Sequence, residues 1–199
     1  MAIKFQYNKT AMQQLKKQLS VRERALPTLQ NKEAALRIEV KQAKDTAAEL
    51  DEKITRRLDE LSDVSRLWCE FDTGLVTVKD VVLGVKKIAG VRTPVLEDVV
   101  LETAEFSMVT APSWYVDGVE LIRELILLTF ERDLFVRKME MLDYARKKTT
   151  QKVNLYEKVQ IPGFEDAIRK IKRFLEDEEN LSKSAQKIVK KRAEQAEAG

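Results

Sequence analysis

The chain holds 199 residues, 35% of them charged and 44% apolar, with a formal net charge of +3 that is too small to name a partner. It has no histidine and a single cysteine, Cys69. The commonest general base and metal ligand is therefore absent, and neither an internal disulfide framework nor a cysteine-rich zinc site is available. Only six glycines and four prolines punctuate it, so few turns and long elements are expected.

Cys69 reads as a helix-packing residue rather than a nucleophile, because no histidine is there to activate it. The opening stretch MAIKFQYNKTAMQQLKKQL lacks the apolar segment of a signal peptide. No run approaches the roughly 20 apolar residues of a membrane span. The densest apolar patch, LIRELILLTF from Leu121, contains Arg123 and Glu124. A soluble chain with no direct membrane insertion is expected.

The first third carries the strongest periodic signal. Alternating strides of three and four from Met12 reach Leu15, Leu19, Arg22, Leu26, Leu29, Glu33, Leu36, Val40, Ala43, Ala47, Leu50, Ile54, Arg57, Leu61, Val64 and Trp68. Fourteen of these seventeen positions are apolar, which predicts a long helix whose narrow stripe winds against a partner helix. Pro27 lies inside the pattern and predicts either a kink or a helix that begins just before it. Arg22, Glu33 and Arg57 fall on the seam. They either pair across it, or lie at flared ends or snorkel outward.

The middle, residues 71–113, changes character. It is denser in valine and glycine. VVLGVKKIAGV and PVLEDVVLE read as two strands around a turn near Arg92, Thr93 and Pro94. A lone hairpin is marginal in water, so it must pack on the helix ends or on another protein.

A second helical segment follows from Ser113, with apolar residues at Val119, Ile122, Leu125, Ile126, Leu128, Phe135, Met139 and Leu142. After Pro162 a heptad runs through Phe164, Ala167, Ile171, Phe174, Glu178, Leu181, Ala185 and Ile188. Pro162 and Gly163 predict a kinked but continuous helix. The simplest closure is a mainly α fold: a long antiparallel two-helix coiled coil of the N- and C-terminal segments, with a short central β-hairpin protrusion. The boundaries read as 1–70 for the first helix, 71–112 for the hairpin, 113–192 for the second helix and 193–199 for a frayed tail.

No phosphate-binding glycine loop, metal-ligand cluster or acid–base constellation stands out. Acidic pairs such as Glu97 and Asp98 read as solvated charges. No cofactor and no catalytic residue is expected. Residues 146–192 hold fourteen Lys or Arg against seven Asp or Glu. The charges interleave and no aromatic stacking platform accompanies them, so nucleic acid is not the expected partner.

Three separated motifs resemble a known family. QKVNLYEKVQIPGFEDAIRKIKRFLEDE is similar to the C-terminal signature of the D subunit of the rotary V-type ATPases and ATP synthases, through Val153, Asn154, Glu157, Ile161, Pro162, Glu165, Ile168, Ile171 and Leu175. LKKQLSVRERALPTLQNKEAAL is similar to that family's N-terminal pattern through Leu15, Lys16, Leu19, Arg24, Leu29, Lys32 and Leu36. IAGVRTPVLE resembles its central A-G-V-x-x-P through Ala89, Gly90, Val91 and Pro94. Departures fall at Asn8–Thr10, at Pro27 and in the tail ENLSKSAQKIVKK.

The resemblance implies a non-catalytic central rotor shaft. Such a shaft couples ATP synthesis or hydrolysis in a ring of A and B subunits to proton or sodium translocation through a membrane ring. It implies the F subunit and a linking C or d subunit as further partners, and a cytoplasmic location peripheral to the membrane. By motif, the candidate interface residues are Leu15, Arg24, Lys32, Gly90, Val91, Pro94, Val153, Asn154, Glu157, Ile161, Pro162 and Glu165. A free-standing coiled-coil adaptor or tether would account for the heptads but not for three motifs in order. The γ-like shaft of F-type synthases carries a larger domain between its helices than this chain has room for.

Overall fold

The computed structural model describes residues 4–62, 71–105, 112 and 114–197. Helix α1 spans Lys9–Ser62, strand β1 Val76–Ile88, strand β2 Val91–Thr103 and helix α2 Tyr115–Leu155. A π-helical turn, Tyr156–Gln160, follows, and helix α3 covers Ile161–Glu197. Helix α3 runs into the segment 193–199 expected as a frayed tail, as far as Glu197. Val64, Trp68, Cys69 and Ser113 lie outside the described residues. The chain divides into two compact units: Met1–Asn31 with Thr149–Gly199, and Lys32–Lys148.

Helix α1 starts where a cap is available. The Asn8 side-chain oxygen accepts from the Ala11 amide at 2.6 Å, satisfying one of the orphan donors of the first turn. Pro27 sits well inside this helix, so the helix does not begin there. The buried residues of α1 are Leu15, Leu36, Ala43, Ala47 and Leu50, and every one is a seam position.

In the first unit the helices run antiparallel. Tyr7 meets Phe174 with ring centroids 4.9 Å apart, while Arg22, further along, meets Gln160. The core between them is Leu15, Phe164, Ala167 and Ile171, flanked by Met12, Leu19, Ile168 and Leu175. In the second unit the same sense holds: Arg57 pairs with Glu124 at 3.1 Å and Asp51 lies 3.9 Å from Arg132. Helix α2 carries half-buried apolar residues on several faces, because it serves α1 on one side and β1 on another.

The hairpin is antiparallel, with Ile88 opposite Val91. Its turn is Ala89–Gly90, both with positive φ (47° and 83°), the pattern of a two-residue hairpin turn matched to strand twist. This corrects the turn expected at Arg92, Thr93 and Pro94, which are β2 residues. The misleading signal was Pro94. Hydrogen-bonded pairs alternate outward from Ile88 and Val91, so Lys86 with Thr93 is bonded and Val85 with Pro94 is not. Proline therefore stands where no N–H is required. The register skips Lys79 in β1 and Glu97 in β2, two bulges that increase the twist.

The hairpin lies alongside the helices of its unit. Its base joins Phe71, Leu75, Val76 and Val119 in a second core, with Trp114, Tyr115, Ile122 and Ile126 around it. Asp72 shapes the approach by accepting from the Gly74 amide at 2.9 Å. Near the tip, Thr93 is fully buried, and its hydroxyl donates to the Lys86 carbonyl at 3.0 Å. A Cβ placed on Gly90 would sit 3.5 Å from the Lys32 ammonium nitrogen of α1.

Candidate partner-binding surfaces

The motif residues fall into two groups, one in each unit. In the second unit, Lys32 and Gly90 are exposed, and Val91 and Pro94 are half-buried. They come together because the hairpin tip reaches α1 at Lys32. Gly90 is set by conformation: its φ of 83° is a left-handed value that a side chain opposes.

In the first unit, the group is organised by the π turn. Asn154, Glu157, Pro162 and Glu165 are exposed, while Val153 and Ile161 are half-buried. Leu15 is 6% exposed and is a core residue of the helix pair. Arg24 is exposed on α1. Pro162 explains the local geometry. It has no N–H to give its preceding turn, and its ring crowds the carbonyl four residues earlier. The chain widens there: the Ile161 amide donates to the Tyr156 carbonyl, an i to i−5 bond, while Leu155 and Ile161 keep right-handed helical dihedrals. The helix is continuous through the turn.

Two residues outside the motifs also matter. Arg22 reaches across the seam: its Nε donates to Gln160 Oε1 at 2.6 Å. Its guanidinium lies 4.6 Å from the Phe164 ring centroid and 5.9 Å from that of Tyr156. Arg57 likewise bonds Glu124 and, on its own helix, Glu60. Glu33 pairs with Arg37 along α1 at 2.9 Å. Of the two readings open for the charged seam positions, pairing across the seam holds for Arg22 and Arg57.

The electrostatics are those of solvated helix faces. The Asp143 carboxyl is held below its ordinary value by hydrogen bonds from Lys147 and Arg146. Lys170 does the same to Asp166, and Lys183 to Glu179. Among the described residues no group of three or more His, Cys, Asp or Glu is placed to hold a metal ion. No described helix is long and apolar enough to cross a membrane. An apolar groove of about 360 Å³ lies between Val78 of β1 and Ile122, Leu125, Ile126 and Phe130 of α2. These surfaces suit protein–protein contact.

The architecture defines a class: long antiparallel helices with a two-stranded hairpin set between them in the chain. Within that class, the family model for the ATP synthase D subunit matches residues 11–191, and the chain belongs to that family. It is similar to the V-type ATP synthase D subunit of Borreliella burgdorferi, 27% identical over 190 residues, covering 94% of each chain. It is also similar to that of Chlamydia muridarum, 27% identical over 200 residues and 98% of each chain. The corresponding protein of Chlamydia pneumoniae is 26% identical over 202 residues, 98% of this chain and 95% of the relative.

Proposed function

We propose that this chain is the non-catalytic central rotor shaft of a V-type ATP synthase or ATPase. In this reading it couples ATP synthesis or hydrolysis in the A/B ring to ion translocation through the membrane ring. The observation that supports the reading is family membership over residues 11–191, joined to antiparallel helix pairing with apolar seam residues in each unit. Such a pair resists twisting better than one helix, because each seam side chain is held in a pocket of the facing helix. Its partners in this reading are the A and B subunits, the F subunit and the C or d subunit linking the shaft to the membrane ring. The two motif groups, around Lys32 and Gly90 and around the π turn, are the surfaces we assign to them. The chain then works in the cytoplasm, at the membrane but outside it.

Reconstitution tests this. Mixing the full chain with a purified A–B hexamer from the same source should give one bound copy per hexamer and a changed ATPase turnover. Absence of binding, together with self-association of the isolated chain, would overturn the shaft reading in favour of a coiled-coil adaptor.

A further inference from the structure

The strides along the second strand of the seam are uneven. Val153, Tyr156 and Gln160 are half-buried, and Phe164, Ala167 and Ile171 are buried. The steps between them are three, four, four, three and four. An unbroken heptad would put the position after Gln160 at Gly163. The facing helix α1 keeps its register through Met12, Leu15, Leu19, Arg22 and Leu26. One strand of the seam therefore carries one residue more than its partner over the eight steps from Tyr156 to Phe164. The π turn, Tyr156–Gln160, falls in that interval, and a π turn is an α-helix holding one added residue.

Arg22 lies opposite and touches all three residues that bound the long interval. It bonds Gln160 and lies over the rings of Phe164 and Tyr156. A leucine at this seam position would leave the Gln160 amide without its partner and could not span the widened turn. A planar fork with several donors and a flat face can do both at once.

We infer that Arg22, Gln160 and the π turn form a single register lock. The π turn absorbs the residue in excess, and Arg22 fills the widened seam and fixes which residues of the two helices face one another. Without the lock, the helices have a neighbouring register available, with Ile161 rather than Gln160 in the seam. The lock is a property of the chain itself and stands whether or not the chain turns inside a larger assembly.

The test is a mutant cycle on the full-length chain, read by thermal unfolding and by amide exchange at residues 156–165. Arg22→Met should lower the melting temperature by about 5 °C and speed exchange in the π turn about tenfold or more. Arg22→Lys should behave like Arg22→Met, since an ammonium cannot stack flat and bond Gln160 together. A second background deletes Val159 and carries Pro162→Ala. It removes the added residue and brings Ile161 to the seam, so there Arg22→Met should cost nothing or stabilise. Equal losses in the two backgrounds would overturn the lock. If the deletion background does not fold, exchange decides alone: unchanged protection of residues 156–165 in full-length Arg22→Met overturns it.

Discussion

Two hydrophobic clusters among the described residues are built by different means. The cluster at Leu15, Phe164, Ala167 and Ile171 is a stretch of seam. Its side chains recur at strides of three and four, and partly buried neighbours such as Met12, Leu19 and Leu175 stand beside it. The cluster at Phe71, Leu75, Val76 and Val119 has no period. It gathers a short 3₁₀ turn, the first residue of a strand and the start of a helix around one ring. Phe71 lies 5.0 Å from Tyr115 and 5.9 Å from Trp114 between ring centroids. A seam spreads its burial over many similar contacts. The aromatic knot concentrates it.

That contrast sets the largest expected effects. Phe71→Ala should cost about 3–5 kcal/mol, since a large ring leaves a cavity its rigid neighbours cannot close. Leu15→Ala should fall at the lower end of about 2–5 kcal/mol, because flexible Met12 and Leu19 can settle into the gap. Urea unfolding of both variants checks the order, and equal losses would break the comparison. Gly118→Ala should cost about 1–3 kcal/mol, through overpacking alone: the added carbon would meet Phe71 Cε2 at 2.7 Å. Phe71→Leu in the same chain should recover part of that loss, and a double-mutant cycle would show the coupling.

The hairpin sharpens the comparison at a smaller scale, since its turn rests on backbone dihedrals rather than packing. Gly90→Ala should cost about 1–2 kcal/mol because the residue stays at positive φ. Ala89→Asn should gain up to about 1 kcal/mol, since asparagine tolerates the left-handed conformation and favours this turn type. Thermal melts of the two variants should move in opposite directions. A loss in both would mean that Lys32 or another neighbour, not the turn, sets the preference at this tip.

The same contrast explains what could be read from the sequence. The α1 seam was legible because its signal is arithmetic: each of its buried residues lies on the three-four stride from Met12. The hairpin was legible as a valine- and glycine-rich island, but its turn was not. Pro94 is a strong turn signal, and only the pairing order shows that its strand position needs no N–H. The placement of the hairpin beside α1 could not be read at all. It brings Gly90 of the tip to Lys32 of α1, and no local pattern announces that approach. At the π turn, Pro162 and Gly163 announced an irregularity. The part of Arg22 lay in a seam charge whose partner, Gln160, sits 138 residues away. The motif residues at Lys32 and Gly90 are far apart in sequence too, and only the fold brings them together.

The smallest expected effect separates periodic from local electrostatics. Asp143 is more enclosed than Asp166 or Glu179, its side chain 27% exposed against 52% and 65%. Arg146 lies at 2.7 Å from it and Lys147 at 2.9 Å. Both are one turn further along α2, so the cluster needs only the helix, not the seam. Its folded pKa lies below the ordinary value of 3.8. The stabilisation is therefore complete above that value and is lost as pH falls through the lower, folded pKa. Asp143→Asn should cost about 0.3–1 kcal/mol at pH 7 and nothing in strong acid, in line with partly exposed pairs, and the loss should shrink in high salt. Stability measured against pH for the parent and the variant should give two curves that converge below pH 3.8. Curves that stay parallel through that range would show that Asp143 acts through packing rather than charge, and the division between seam packing and surface charge would then fail at this residue.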